Sequence, residues 1–131
     1  MKFKPGFRFS VLDAIILVIA SSLALFLNSY NYLYSVLVVF IILHFFLFCN
    51  VVRMSRTPEL IWASFFLCTF YLHLKLSVLS FNIALVSCIL VTSILVLLES
   101  RKPSYHGIFW QKVNPKLPDW FAESQKQKSI S

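Results

Sequence analysis

Four long apolar runs, separated by short polar breaks, occupy the first hundred residues, and a polar, proline-punctuated segment follows them. The first run covers about residues 9–28 and ends at the link Ser29-Tyr30-Asn31-Tyr32; the second covers about 33–52. The third, about 58–74, opens on Thr57-Pro58-Glu59, which reads as a hydroxyl N-cap, a proline at the first helical position and an acid in the first turn. The fourth covers about 78–98. A helix needs about 20 residues to cross a hydrocarbon core of roughly 30 Å. The third run is short by that measure, so it should tilt little or meet a thin bilayer. The break between runs three and four contains neither glycine nor proline. An unbroken helix from Leu60 to Leu98 would nevertheless be about 60 Å long, twice the hydrocarbon thickness. The polar cluster His73, Lys75 and Ser77 is where the chain should turn. The pattern predicts an all-α membrane protein: a four-helix transmembrane domain over residues 1–100 and a proline- and aromatic-rich arm over 101–131.

Composition strengthens this reading. Of 131 residues 59% are hydrophobic and 13% charged, with a mean hydropathy of +0.79; soluble domains average about 45–50% and about 25%. A net charge of +7 and a pI near 9.6 would suggest nucleic acid in a soluble protein. Here the cations flank the apolar runs, which argues for orientation and against nucleic acid as a partner. Lys2, Lys4 and Arg8 precede the first run, Arg53 and Arg56 lie between the second and third, and Arg101 and Lys102 follow the fourth. The first link carries no Lys or Arg and the third only Lys75. By the positive-inside rule both termini and the second loop are cytoplasmic, as for a multi-pass protein of a bacterial inner membrane. The run from Val11 to Leu27 is longer than a signal-peptide core of about 7–15 residues and is read as a retained first helix.

Both glycines, Gly6 and Gly107, lie outside the runs, so close helix packing must rest on other small residues. Ser80, Ala84, Cys88 and Thr92 recur every four residues and define one face of the fourth helix. Ala20 and Ala24 do the same on the first. The three cysteines lie inside apolar runs and give no disulfide framework.

Polar residues in the runs fall into two groups by depth. Asp13, Asn50, Arg53, Arg56 and Glu59, with Glu99 and Arg101, lie where helices should leave the bilayer; acids there are expected to neutralise arginines. The sharper alternative is a proton or ion relay built on Asp13 with Arg53 or Arg56. Near mid-membrane lie His44, Cys68 and Cys88, soft ligands that could hold a metal, while His44 alone could ligate haem or chlorophyll or contact a quinone. A structural histidine, hydrogen-bonded inside the bundle, is the preferred reading, and no cofactor or metal is expected. No Walker loop, HExxH, serine elbow or paired carboxylate occurs, so no catalytic residues are assigned and an enzyme is not expected.

In the arm, Tyr105, Phe109, Trp110, Trp120 and Phe121 alternate with basic residues, and Pro103, Pro115 and Pro118 oppose one long helix. These aromatics suit either an anionic lipid surface or a protein partner. The polar end after Ala122 is expected to be mobile unless held. The function expected is a small non-catalytic accessory, scaffold or assembly subunit, partnered by other membrane subunits. The alternatives are a homo-oligomeric channel or transporter with Asp13, Arg53 and Glu59 lining a vestibule, and a cofactor-binding subunit centred on His44.

Overall fold

The computed structural model describes residues 4–130; Lys2, which contributes to the charge asymmetry, and Ser131 of the polar end lie outside the described residues. The helices are α1 (Val11–Asn28), α2 (Tyr32–Phe46), α3 (Arg56–Leu76), α4 (Phe81–Ser100), α5 (Trp110–Val113) and α6 (Leu117–Ile130). No strand occurs among the described residues. Four helical segments, Val11–Asn28, Tyr32–Val52, Arg56–Leu76 and Phe81–Ser100, are long and apolar enough to cross a membrane. The chain divides into two compact units. One holds the residues up to Arg53 together with His106–Phe109, and the other holds Met54–Tyr105 and the chain from Trp110 onward.

The first unit is built on the α1–α2 pair. α1 starts at a capping box: the Asp13 amide donates to Ser10 Oγ at 3.2 Å, and the Ser10 amide donates to Asp13 Oδ2 at 2.7 Å. That reciprocal cap sets the start at Val11 rather than Phe9. The buried positions of α1 are Ala20 and Ala24, small residues one turn apart that let backbones approach closely. At the far end Asn31 caps α2, its Oδ1 accepting from the Leu33 amide at 2.9 Å. The last turn of α2 widens into a π-helix over Leu47–Val52, closed by Arg53 in the left-handed region at φ 55°. Such widened turns insert an extra residue and often mark functional positions.

The second unit is built on the α3–α4 pair. α3 begins two residues before the expected start: Ser55, not Thr57, is the N-cap residue, and Pro58 lies in the first turn, where its missing N–H costs no hydrogen bond. With 21 residues the helix is not short for a span, which removes any need for a thinned bilayer. The glycine-free turn after it works because Ser77 takes the left-handed conformation at φ 51°, and the Val78 amide donates back to the Leu72 carbonyl at 3.3 Å. His73 Nδ1 secures the turn by donating to the Leu79 carbonyl at 2.8 Å.

Between these helices Trp62, Phe66 and Phe70 form a ladder of rings with centroids 5.2 and 4.5 Å apart, extended by Phe81 at 6.0 Å from Phe70. Ala84 and Cys88 of α4 are 0% exposed and Thr92 is buried. Ser80 is exposed; it caps α4, its Oγ accepting from the Ile83 amide at 3.4 Å. Trp62 Nε1 donates to Thr92 Oγ1 at 2.9 Å, and that hydroxyl donates to the Cys88 carbonyl at 2.8 Å, so the indole N–H and the Thr92 hydroxyl are both bonded inside this interface. Beyond α4, Asn114 Nδ2 donates to the carbonyls of Pro103 at 2.7 Å and Tyr105 at 3.1 Å, and Leu117 is buried at 2% exposure. The polar end is helical, Leu117–Ile130 forming one helix. Pro118 lies in its first turn, where proline is harmless, with Asp119 beside it and Lys128 in the last turn, both favourable to the helix dipole.

Candidate functional site

The densest set of polar contacts in the first unit joins three segments: the N-terminal arm, the π-helix of α2 and residues 106–109. The Arg8 amide donates to the Asn50 carbonyl at 3.1 Å, the Gly6 amide to His106 O at 2.8 Å, and the Ile108 amide to Val51 O at 2.8 Å. Gly6 has φ 100°, a conformation that requires glycine although a Cβ would meet nothing within 4 Å. Asn50 is 3% exposed and projects from the π-helix toward the arm. With its amide oriented by its neighbours, Nδ2 donates to the Arg8 carbonyl at 3.0 Å and to Asp13 Oδ2 at 3.2 Å. Arg53 Nη1 reaches the Lys4 carbonyl at 2.6 Å and the Gly6 carbonyl at 3.5 Å. Burial, and after it the neighbouring Arg8 guanidinium, lower the Arg53 pKa from its ordinary value.

Asp13 and Arg53 are therefore not bonded as an acid–arginine pair. Asp13 serves the capping box and Asn50, while Arg53 serves main-chain carbonyls. In the second unit Arg56 is exposed and Glu59 half-buried on the first turn of α3. Glu99 is buried at 7% exposure: it accepts from the Ser55 amide at 3.2 Å and bonds the Lys102 ammonium.

His44 is buried on α2, its Nδ1 2.8 Å from the Phe40 carbonyl and its ring against Phe40 and Phe48. Cys88 is buried on α4 whereas Cys68 is exposed on α3, so these two do not turn toward a common centre. Among the described residues no three His, Cys, Asp or Glu side chains gather as metal ligands would.

The arm aromatics separate into two kinds. Tyr105 is buried in the second unit, and burial raises its pKa; it is a core residue and is not presented to a partner. Trp110 and Phe121 are half-buried, while Phe109 and Trp120 are 64% and 39% exposed. Phe109 also has φ 55°, a strained conformation for a bulky residue.

Sequence reasoning missed the π-helix, the role of Asn50 and the backbone clasp to residues 106–109. One signal for the clasp was available: the chain's two glycines, Gly6 and Gly107, fall on the two segments it joins. Asn50→Leu should destabilise the first unit by about 1–3 kcal/mol, because the Arg8 carbonyl and Asp13 each lose a donor. Asn50→Asp should cost more at neutral pH, because it sets a second carboxylate against Asp13. Acidification should recover part of that loss, since one shared proton relieves the repulsion. Thermal melts of the purified variants check this, and an Asn50→Asp variant as stable as wild type at neutral pH would contradict it.

Comparison of the chain with protein-family models, with curated proteins and with solved structures gave no match.

Proposed function

We propose that the chain is an integral membrane protein with four transmembrane helices and both ends in the cytoplasm of a bacterial cell. In this reading it acts as a small non-catalytic accessory or assembly subunit of a larger membrane complex, with α5 and α6 as its docking element. The observation that carries the docking assignment is the exposure of Trp120 on an ordered helix. α6 is fastened through buried Leu117 and the Asn114 bonds, yet it leaves a large aromatic for another surface. Insertion is supported by the helices themselves, since only 6% to 22% of each apolar window is buried within the protein. Such extensive apolar surface needs lipid or another chain to cover it. The channel reading loses support because Asp13 and Arg53 are engaged in bonds within the first unit.

Topology is testable in a variant with Cys49, Cys68 and Cys88 replaced by alanine. An impermeant maleimide applied to intact cells should modify Ser29→Cys and leave Lys126→Cys untouched until the membrane is opened. Labelling of both from outside would sink the four-span arrangement. The subunit assignment is tested by mild-detergent purification: a fixed set of membrane proteins should travel with the chain in constant ratio, and the set should depend on α6.

A further inference from the structure

The arm that Asn50 and Arg53 hold in place carries a cationic pair beside an apolar patch. Arg53 makes both of its guanidinium bonds from one nitrogen, Nη1. The rest of the fork, Nε and Nη2, makes no hydrogen bond among the described residues. The Arg8 side chain is exposed and makes neither a hydrogen bond nor a salt bridge among the described residues. Arg53 bonds the Gly6 carbonyl, two residues from Arg8, and the Arg8 guanidinium disfavours the Arg53 charge. Asp13 makes no salt bridge with either guanidinium among the described residues: it accepts from the Ser10 amide at 2.7 Å, from Ser10 Oγ at 2.6 Å and from Asn50. Lys4, also exposed, adds a third cation to the same arm.

Next to this charge is an aromatic trio. Phe7 and Phe9 stack with centroids 6.5 Å apart, and each meets Phe46 of α2 edge-on, at 5.9 and 6.0 Å. Phe7 and Phe9 are each 54% exposed. A ligand that satisfies both halves must combine an anion suited to guanidinium forks with an apolar body. A phosphodiester meets the first need through bidentate, charge-assisted hydrogen bonds. Acyl chains meet the second, at the level where apolar helices emerge from the bilayer. A soluble phosphate would leave the three rings without a role.

We propose that this end of the first unit binds the phosphate of an anionic phospholipid at the Arg8 and Arg53 guanidinium groups, with the lipid's acyl chains against Phe7, Phe9 and Phe46. The inference rests on the membrane-spanning reading above, but not on the docking role of the tail.

The test is native mass spectrometry of the full chain in a neutral detergent, with phosphatidylglycerol or phosphatidylcholine of the same acyl chains added. Phosphatidylglycerol should be retained in preference to phosphatidylcholine. Arg8→Gln should lower that preference about fivefold, the worth of one cation beside an anionic headgroup. Arg8 has no structural bond to lose through its side chain, so the variant should melt like wild type. Arg56→Gln, which removes an exposed arginine of the other unit, should leave the preference unchanged. Phe7→Ser should weaken retention of both lipids.

Equal retention of the two lipids would overturn the site, and so would an Arg56→Gln effect as large as that of Arg8→Gln, which would show a general surface field. Inorganic phosphate that displaces phosphatidylglycerol at millimolar concentration would make this a free-anion site and overturn the lipid assignment. Carbonate extraction of membranes keeps the two readings apart. A chain that stays inserted yet shows no lipid preference loses only this site, whereas a chain that is washed off loses the spanning reading itself.

Discussion

Ala84→Leu is expected to disrupt the α3–α4 pair, while Leu90→Phe on the same helix is tolerated. Ala84 is 0% exposed and lies one turn from Cys88, also 0% exposed, on the face that receives the α3 rings. A larger side chain there must push the helix backbones apart, and overpacking of this kind costs about 1–3 kcal/mol. A second loss follows from the first. Separation strains the Trp62–Thr92 hydrogen bond, and an indole N–H left without an acceptor away from water costs a further 1–3 kcal/mol or so. Leu90 is 60% exposed and has room to grow. The measurement is the melting midpoint of each purified variant in detergent, followed by tryptophan fluorescence. Matching midpoints would show that the small-residue face is not what holds the pair together.

The four long helices were legible because run length and hydropathy decide them with little help from local chemistry. The α3–α4 turn was legible for a different reason: a helix through residues 72–79 would have been too long, although no residue there advertises a turn. What makes the turn, Ser77 in a left-handed conformation, is a cost that tertiary contacts cover and sequence does not display. The start of α3 was placed two residues late because Thr57-Pro58-Glu59 carries strong signals that hold equally well inside the first turn. The same property of proline is at work in the tail, where no single helix runs through residues 101–131. Pro115 and Pro118 stop a helix that tries to pass through them, but they stand before and at the start of α6, where they do not oppose it.

The polar layer was the least legible part. Counting acids and arginines at one depth suggests that they pair with one another. The protein instead sets Asn50 between Asp13 and a main-chain carbonyl and turns Arg53 onto carbonyls of the arm. Those acceptors are backbone atoms, identical at every residue, so no side-chain pattern announces them. The π-helix that aims Asn50 is equally silent, since Leu47–Val52 reads as a plain apolar stretch interrupted by one small polar residue, Asn50.

On the proposed subunit reading, removing residues 110–131 is expected to leave four inserted helices while abolishing association with partner subunits. The cut should be made after Phe109 and not at Pro103. Residues 106–109 supply an acceptor for the Gly6 amide and a donor for the Val51 carbonyl, so a cut at Pro103 also loosens the N-terminal arm. Comparing the two truncations separates docking from damage to the first unit. If α5 and α6 carry the contact, both truncations lose the partners, but only the longer deletion lowers the melting midpoint of the first unit. Within the tail the load should fall on Trp120 of α6, which is exposed, rather than on half-buried Trp110 of α5. Truncating a tryptophan buried at an interface commonly costs roughly 2 kcal/mol or more, about a thirtyfold loss of affinity. Trp120→Ala should therefore reproduce most of the loss, and Trp110→Ala should act mainly through stability. Binding by lipid attraction alone would look different: the two tryptophans would matter alike, and added salt would weaken the interaction through Lys112 and Lys116. Co-purification of the same partners in the same ratio after truncation at Phe109 would move the binding surface onto the membrane helices, whose exposed apolar faces are the remaining surface large enough to serve.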